Sequence, residues 1–326
     1  MVSDPKVSIV IPTRDRPWLV RRAIASALAQ TLSSVEVLVV DDGSVEPVHP
    51  PEDGRVRVIR QERPRGPCVA RNLAMAAARG GWITFLDDDD ELAPDMLEVS
   101  LRAARESDLP APVAVLSGID VVGDDGRLLE RRLPVTLPRG RRYSLEEDQG
   151  RSFLAHNTLV APLDVLRRIG GWDETLPAWE HDDLFLRLNA VCSIQGLDTV
   201  TYRMTANAGR RLSRDLLARA VGIERTLAKH GQRFAANPER HAYLLGALGL
   251  AYLRAGRWAP AVAATTRSLR LRPGARAVGW WLESLAGPRI VALADRAGGR
   301  LAGRVRHLHG RRSSTAPPGG DQCRMT

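Results

Sequence analysis

Residues 82–90 read WITFLDDDD, a short apolar run that leads into four consecutive aspartates. The run at 82–86 is typical of a buried strand. Two earlier apolar runs are followed by polar residues in the same way: 6–11 by Pro12-Thr13, and 35–40 by Asp41-Asp42. Because a parallel sheet binds its ligands outside the carboxyl ends of its strands, this pattern predicts one shared pocket at these strand ends.

Helical patterns alternate with the predicted strands, and this order predicts an α/β fold with a mostly parallel sheet flanked by helices. Helices are predicted at 18–28, 69–79, 94–106, 162–169 and 183–191. Further strands are predicted at 56–59, 113–119, 153–160 and 199–204. The residues Gly123-Asp124-Asp125-Gly126 lie between two strand-like arms and predict a hairpin.

The sequence from Ser213 onward predicts helices at 216–230, 240–255 and 258–270. The last two resemble one tetratricopeptide-type hairpin. A single such unit lacks the neighbours that bury its faces, so a plain helical appendage is favoured. The predicted organisation is an α/β domain at 1–208, a helical C-terminal region at 209–310 and a disordered Gly/Pro-rich tail at 311–326.

Charge is unevenly distributed along the 326 residues. Residues 205–326 contain 22 Lys and Arg against 6 Asp and Glu, whereas the whole chain has a net charge of +9. A basic segment indicates an anionic partner such as acidic lipid, polyphosphate or nucleic acid, and a solvated face in an arginine-rich chain is the equal alternative. Aromatic residues make up only 5% of the chain, which argues against base stacking, so no nucleic-acid partner is expected.

Few features of the sequence indicate where in the cell the protein is located. The three cysteines, Cys68, Cys192 and Cys323, have no paired spacing, so neither a disulfide framework nor a zinc site is expected. The chain opens on a strand-like segment rather than a signal, and no run of 18 apolar residues occurs. We expect a cytoplasmic protein, with peripheral contact to the inner face of an anionic membrane through the basic C-terminal third as an option.

The four aspartates at 87–90 would repel one another, and such a cluster usually needs a cation. Carboxylate oxygens suit Mg²⁺ or Mn²⁺, and such an ion would neutralise charge on a departing diphosphate. The alternative is an acidic loop that caps the helix near Pro94 without a metal. The position at a strand end favours the metal.

Three further elements contribute candidate residues. Asp42 could accept a hydrogen bond from a base or a ribose hydroxyl, or belong to an ordinary Asp-Gly turn. Arg71, on the helix after Gly66, suits phosphate pairing, with a surface salt bridge as the alternative. The segment Trp179-Glu180-His181-Asp182-Asp183 could supply a general base or cap the helix that it begins.

In this order, these elements resemble the family 2 glycosyltransferases with the GT-A fold. The resemblance covers roughly residues 5–204 and rests on VSIVIPTRDRPWLVRRAIASALAQT, VLVVDDGS, RGPCVARNLAMAAARGGWITFLDDDDELAPDML and GGWDETLPAWEHDDLFLRL. It implies a metal-dependent, inverting transferase that moves a sugar from a nucleotide-diphosphate sugar to a hydroxyl of a carbohydrate, lipid-linked or small-molecule acceptor. Bacterial polysaccharide, glycolipid or glycoconjugate assembly is the implied setting, with 1–208 as the catalytic domain.

The resemblance also implies roles for residues that bind the nucleotide. Thr13 and Asp42 would contact the base and the ribose, and Pro12 would shape the wall beside them. Arg71 would lie near the diphosphate or the base. These four residues come from three different motifs.

The aspartate run matches the Asp-x-Asp element of the family through Asp87 and Asp89. Asp89 would ligate the metal directly with help from Asp87, and Asp88 would contribute to donor binding. The element would therefore join the cation to the diphosphate.

The base is the point at which the chain departs from the family. The family usually has Glu-Asp, whereas this chain reads Glu180-His181. His181 occupies the usual base position, so either His181 or Asp182 takes that role, beside Glu180, or the activity is weakened. We favour Asp182 on chemical grounds.

Two other functions remain as alternatives. A metal-dependent nucleotidyltransferase would need a basic Gly-rich loop, and Arg14 and Arg16 are present without that spacing. Neither GxxxxGK[ST] nor a GxGxxG after the first strand is found. A non-catalytic nucleotide-sugar-binding scaffold is suggested by His181 and the helical region.

Overall fold

The central strands arise from mostly apolar runs that are buried on both faces of one sheet. The computed structural model describes residues 5–141, 156–206 and 215–287. Within them the strands are β1 Val7–Thr13, β2 Val35–Asp41, β3 Val56–Arg60, β4 Trp82–Phe85, β5 Glu91–Leu92, β6 Val113–Val122, β7 Leu128–Arg132, β8 Val160–Pro162 and β9 Ser193–Thr205.

The helices lie between and after these strands. They are α1 Pro17–Leu28, α2 Pro67–Ala77, α3 Met96–Glu106, α4 Leu163–Arg168, α5 Glu180–Val191, α6 Leu216–Lys229, α7 Gly231–Ala235, α8 Pro238–Arg254, α9 Trp258–Leu271 and α10 Ala275–Ala286. A single 3-10 turn covers His156–Thr158. Both α1 and α2 begin at a proline, whose fixed φ and missing N–H suit the first turn of a helix.

The sheet has the strand order β3-β2-β1-β4-β8-β6-β9-β5, with β7 paired to β6. β1 is parallel to β2 and β4, and β2 is parallel to β3, so the carboxyl ends of β1, β2 and β4 meet at one edge. β8 is antiparallel to β4 and β6, whereas β6 and β9 are parallel. The predicted α/β class with a helical C-terminal region is confirmed, and the sheet is parallel in its first half and mixed in its second.

The alternating strand residues supply two hydrophobic cores, one on each face of the sheet. Val10, Leu38 and Phe85 pack in the core that also contains residues of α2, α4 and α5. Ile9 and Val39 belong to the opposite core, with residues of α1 and α3. Because successive side chains of a strand point to opposite faces, both layers of helices are held by the same strands.

The predicted strand at 153–160 is wrong in most of its described part. Residues 153–155 lie outside the described part of the chain, His156–Thr158 form the 3-10 turn, and β8 begins only at Val160. The side chains of the turn are buried, so burial here reflects packing around polar contacts rather than pairing in the sheet. The prediction also missed the short elements β5 and α7 and the helix α10.

The described residues form two compact units, one that ends at residue 237 and one that begins at residue 238. α6 and α7 therefore belong with the α/β unit, beyond the predicted boundary at 208. In the second unit, α8 and α9 approach closely because Gly249 leaves room for Thr265. The predicted tail at 311–326 lies outside the described residues. None of the described helices combines the length and the apolar composition that crossing a membrane requires.

Candidate functional site

Asp87 follows β4 and joins residues from distant parts of the first unit. Its Oδ1 accepts a hydrogen bond from Arg71 Nη2 at 3.1 Å, and its Oδ2 accepts one from Asn157 Nδ2 at 2.7 Å. Burial by itself would raise the pKa of Asp87, but the contacts with His156, Arg71 and Asn157 outweigh burial and lower the pKa. About a third of the side chain stays exposed, at 33%, so an ionised carboxylate remains accessible.

Asp88 connects the ends of β1 and β4. Thr13 Oγ1 donates a hydrogen bond to Asp88 Oδ2 at 2.6 Å, and Arg16 Nη1 donates one to Oδ1 at 2.9 Å. Burial and the neighbouring Asp89 raise the pKa of Asp88 to about 6 against the opposing effect of these donors. The predicted donor-binding residues Thr13 and Asp88 therefore contact each other directly.

The last two aspartates of the run have different surroundings. Asp89 Oδ2 lies 3.5 Å from Arg16 Nη1, and no other side-chain hydrogen bond to this carboxylate is found among the described residues. Asp90 accepts hydrogen bonds from Tyr202 Oη at 2.9 Å and from the Thr205 amide at 2.9 Å. Burial, Asp87 and Asp89 raise the pKa of Asp90 to about 8. Asp90 thus anchors β9, while Asp89 keeps the most capacity for a cation.

Asp42 follows β2 and organises the loop that leads into α2. Its Oδ1 accepts hydrogen bonds from Gln61 Nε2 and from the Arg65 amide, both at 2.7 Å, and its Oδ2 accepts one from the Gly66 amide at 2.8 Å. Gly66 has φ of +93°, a region that favours glycine. The carboxylate thereby sets the start of the helix that carries Arg71. Pro12 lies within β1, beside Val40 of β2.

Arg71 lies at the centre of the cluster and is only 4% exposed. Its Nη2 donates hydrogen bonds to Asp87 and to His156 Nε2, the latter at 2.9 Å, and its Nη1 lies 3.6 Å from Glu180 Oε1. The guanidinium stacks 4.7 Å from the centroid of the Trp172 ring, an attraction that strengthens where water is excluded. Nε and Nη1 are buried and have no hydrogen-bond partner in the described structure.

The candidate bases lie in the first turn of α5. Glu180 faces Arg71. Burial by itself would raise the pKa of Glu180, but the nearby charges of Arg71 and His181 outweigh burial and lower the pKa. The His181 ring lies 6.3 Å from the His156 ring, between centroids, and its Nε2 lies 3.3 Å from Asp182 Oδ2. The segment therefore faces the Arg71 cluster through Glu180 and His181, with Asp182 in contact with His181.

Of the predicted residues, Arg71, Asp87 and Glu180 meet in one cluster. An adjoining cluster contains Thr13, Asp88 and Asp89, in which Thr13 contacts Asp88 and Arg16 contacts both aspartates. In the described contacts Asp42 supports the α2 loop rather than touching either cluster. Sequence reasoning assigned no site role to four residues that bind these carboxylates or stack on Arg71: His156, Asn157, Trp172 and Tyr202. Trp172 lies in the quoted Gly-Gly-Trp-Asp-Glu motif, which was its only signal in the sequence.

The aspartate run fits a hard cation in a particular way. In the described part of the chain, no group of three or more His, Cys, Asp and Glu side chains converges as a complete metal site. Mg²⁺ is commonly held by only one or two carboxylates together with substrate phosphates and water. Asp89, with its single side-chain contact, and the accessible Asp87 match that smaller requirement.

Part of the chain is similar to proteins of known sequence. The model of glycosyl transferase family 2 matches residues 8–162. Succinoglycan biosynthesis protein ExoO of Rhizobium meliloti (strain 1021) is 41% identical over 146 residues, which cover 41% of each chain. Glycosyltransferase GlyG of Streptococcus pneumoniae serotype 4 is 31% identical over 108 residues, 31% of this chain and 36% of that protein. The matched region thus spans about two fifths or less of these relatives.

A solved structure matches over most of the chain. S. aureus TarS 1-349, crystallised in complex with UDP-GlcNAc, superposes with a TM-score of 0.52 at 18% sequence identity, covering 90% of this chain and 92% of TarS 1-349. This likeness confirms the predicted GT-A fold. The match to the model of glycosyl transferase family 2 covers residues 8–162, which contain Arg71 and the aspartates at 87–90.

Proposed function

We propose that this chain is an inverting glycosyltransferase that transfers a sugar from a nucleotide-diphosphate sugar to an acceptor hydroxyl. The observation that carries the proposal is the meeting of Arg71, Asp87 and Glu180, which belong to α2, the end of β4 and the start of α5. Such a cluster combines anion-binding and cation-binding groups with a candidate base. A transferase that separates a diphosphate from a sugar needs all three.

The donor would lie across the carboxyl ends of β1, β2 and β4. Thr13 and the loop after Asp42 mark the nucleoside end there, and the positive charge of Arg71 is suited to the diphosphate because arginine pairs with phosphate oxygens. The TarS crystals contained UDP-GlcNAc, which supports a uridine-diphosphate sugar as the first donor to try.

Mg²⁺ or Mn²⁺ would be held by Asp89 and Asp87, with the diphosphate completing the coordination. The bound ion would supply charge neutralisation for the leaving diphosphate. Arg16 Nη1 lies 2.9 Å from Asp88 Oδ1 and offsets part of the negative charge of the run. Asp88 therefore does not require a metal ion of its own.

We assign the acceptor base to the first turn of α5 and, within it, to Asp182. The pairing with Arg71 stabilises the ionised form of Glu180 and makes it a weaker proton acceptor. Asp182 Oδ2 lies 3.3 Å from His181 Nε2, so the two side chains can act together. A base on the side of the sugar opposite the diphosphate permits in-line attack, which inverts the anomeric centre.

A donor screen tests the proposed function. Thermal shift of the full chain with a panel of UDP- and dTDP-linked sugars, with and without Mn²⁺, should show a rise in Tm that needs both ligand and metal, because a ligand that binds only the folded state stabilises it. No shift with any sugar nucleotide contradicts the proposal. Pyrophosphate release from a nucleoside triphosphate would instead favour a nucleotidyltransferase.

The base is tested separately by turnover of the donor that the screen identifies. Asp182→Asn should lower kcat by about 10²-fold or more while leaving the Kd for the donor nearly unchanged. A loss confined to His181→Ala, with none in Asp182→Asn, reassigns the base to His181. Donor binding without turnover in the unmodified chain would favour the non-catalytic scaffold, which the histidine at the usual base position makes a specific alternative.

The biological setting is also a proposal. The name of ExoO refers to succinoglycan biosynthesis, and this supports assembly of a cell-surface polysaccharide with a carbohydrate or lipid-linked acceptor. A basic C-terminal region would suit an anionic membrane surface at which such acceptors are found.

A further inference from the structure

Helices α6 and α7 pack against the segment that contains the candidate bases. The family match ends at residue 162, so these helices lie outside it. Their contacts are spread over the loop before α5 and over α5 itself, from Asp173 to Leu186. This packing links a region with no assigned role to the first turn of α5.

The backbone just before the candidate bases is conformationally unusual. Trp179 has φ of 69° and ψ of 14°, a left-handed conformation that a bulky side chain rarely adopts and that the surroundings must stabilise. Glu180 is the next residue, so a change at Trp179 would redirect the first turn of α5.

Helix α6 supplies that stabilisation. The guanidinium of Arg219 lies 4.9 Å from the centroid of the Trp179 ring. A Cβ at Gly222 would collide with the Ala178 carbonyl oxygen and would lie 3.0 Å from Trp179 Cβ. Because Gly222 has no side chain, the helix can lie directly against the turn and leave it no space to relax.

A buried carboxylate ties α6 and α7 to α5 one turn further on. Asp183 is fully buried, and its Oδ1 lies 2.9 Å from Lys229 Nζ and 2.7 Å from His230 Nε2. Its Oδ2 accepts a hydrogen bond from Arg187 Nη2 at 2.6 Å. Lys229 also contacts Asp173 Oδ2 at 2.6 Å, so one ammonium group joins the loop before the turn to the helix after it.

Two arginines extend the same contact through backbone carbonyls. Arg225 donates to the carbonyl of Thr175, and Arg233 donates to the carbonyl of Leu186. Anchor points therefore lie on both sides of Trp179 in the chain.

Apolar packing, through the buried Ile223 and Phe234, is only part of this arrangement. The body of α5 is already held in the main core through Leu184, Phe185 and Leu188. The polar and glycine-mediated contacts from α6 and α7 include the turn at 178–183 and extend to residues on both sides of it. Their effect is on the direction of that turn rather than on the attachment of the helix.

We infer that α6 and α7 form a positioning element that sets the direction of Glu180, His181 and Asp182 toward the acceptor hydroxyl. Gly222 and Arg219 hold Trp179 in its left-handed conformation, and Lys229 and His230 hold Asp183. None of these four residues touches the reacting atoms. The inference rests on the proposed transferase function.

The test compares Gly222→Ala with Gly279→Ala in the full chain. Gly279 lies inside α10, and a Cβ there meets nothing within 4 Å, so both variants change a helical glycine but only one presses on the turn. Hydrogen exchange of a peptide covering 176–184 should accelerate at least about tenfold in Gly222→Ala and stay unchanged in Gly279→Ala. Unchanged exchange in both variants overturns the inference without reference to activity.

Kinetics then separate positioning from simple destabilisation. With the UDP- or dTDP-sugar that gives the highest turnover in the unmodified chain, Gly222→Ala should lower kcat by about tenfold to a hundredfold, because a displacement of about 1 Å can cost that much. KM for the donor should change less than twofold. The residues that would bind the donor lie on β1 and α2 and directly after β2 and β4, away from the turn at 178–183 in the chain. If Gly222→Ala has the same kcat as the unmodified chain, the positioning role of α6 and α7 is wrong, and the proposed transferase function is unaffected.

A second pair of variants covers the case in which Gly222→Ala does not fold. His230→Leu removes the donor to Asp183, whereas His230→Gln retains an N–H that can reach it. We expect kcat to fall about tenfold in the first and to recover in the second, and equal losses in both overturn the inference. Absence of turnover with every sugar nucleotide in the unmodified chain overturns the proposed function instead.

Discussion

Two groups of buried carboxylates in the first unit have opposite charge balance. The four aspartates at 87–90 share Arg16, Arg71 and His156 as their basic partners among the described residues. By contrast, the single carboxylate of Asp183 is contacted by three basic side chains, those of Arg187, Lys229 and His230. The pKa values of Asp88 and Asp90 are raised, whereas those of Asp183 and of Asp87, the member of the run that Arg71, His156 and Asn157 contact, are lowered.

This difference separates a binding role from a structural one. A buried carboxylate with a full set of donors has no capacity for a ligand, and its removal costs stability. A group of carboxylates with too few partners destabilises the free protein and gains most from an added cation. The run at 87–90 is of the second kind and Asp183 of the first.

The strongest test of this contrast is Asp89→Ala. We expect it to lower kcat/KM for the donor by about 10³-fold, because it removes the anchor of the cation that neutralises the diphosphate. The Tm should not fall, since the change also relieves repulsion between neighbouring carboxylates. Asp124→Ala, at an exposed aspartate in the turn between β6 and β7, is the control and should leave both quantities unchanged. Full activity of Asp89→Ala in chelator-treated buffer would show that the metal assignment is wrong.

The reverse behaviour is expected of Asp183→Ala. It should lower the free energy of unfolding by about 3 kcal/mol, because hydrogen bonds between charged groups are lost at a buried site. Urea unfolding with an unchanged m-value measures the effect. A loss below about 1 kcal/mol would mean that the buried cluster contributes little beyond an exposed pair.

The pH dependence of that difference provides a third test. The donors to Asp183 keep its pKa in the folded protein below the unfolded value of about 3.9. The unfolded state therefore takes up the proton first as the pH falls, and the stabilisation is complete above about pH 4 and declines below it. The difference between the unfolding curves of the unmodified chain and Asp183→Ala should therefore shrink as the pH is lowered through about 4, and the curves should converge in more acidic solution. A gap that widens in acid would contradict this assignment.

The smallest effect is expected at an exposed pair. Asp164 and Arg168 on α4 lie 3.1 Å apart with side chains 70% and 68% exposed. Asp164→Asn should change the free energy of unfolding by less than about 0.5 kcal/mol, because solvent screens such pairs. Adding 1 M NaCl should remove even this difference, and a salt-resistant loss would indicate an unrecognised buried partner.

The sequence predicted the first half of the molecule more accurately than the second. Runs such as 35–40 and 82–86 are mostly apolar because both faces of the sheet are covered, and that pattern is local. The segment 153–160 was mistaken for a strand because its buried residues serve polar contacts, which no periodicity records. Short elements such as β5 and α7 carry too few residues for any periodic signal.

Some residues of the site could be named from local motifs, whereas their contacts depend on residues far away in the sequence. Motif spacing was enough to name Arg71, Asp87, Asp89 and Glu180, since each belongs to a quoted stretch at a strand end or a helix start. The partners that distinguish one aspartate from the next come from far along the chain: Asn157 is 70 residues from Asp87, and Tyr202 is 112 residues from Asp90.

Hydrophobic period and motif order were therefore sufficient for the fold class, the family resemblance and the list of charged candidates, because strands, turns and helix starts depend on neighbours in the chain. Charge compensation was not readable in this way. Whether a carboxylate is satisfied, as Asp183 is by His230 at a separation of 47 residues, or left with spare capacity, as Asp89 is, depends on which side chains folding brings within hydrogen-bond distance.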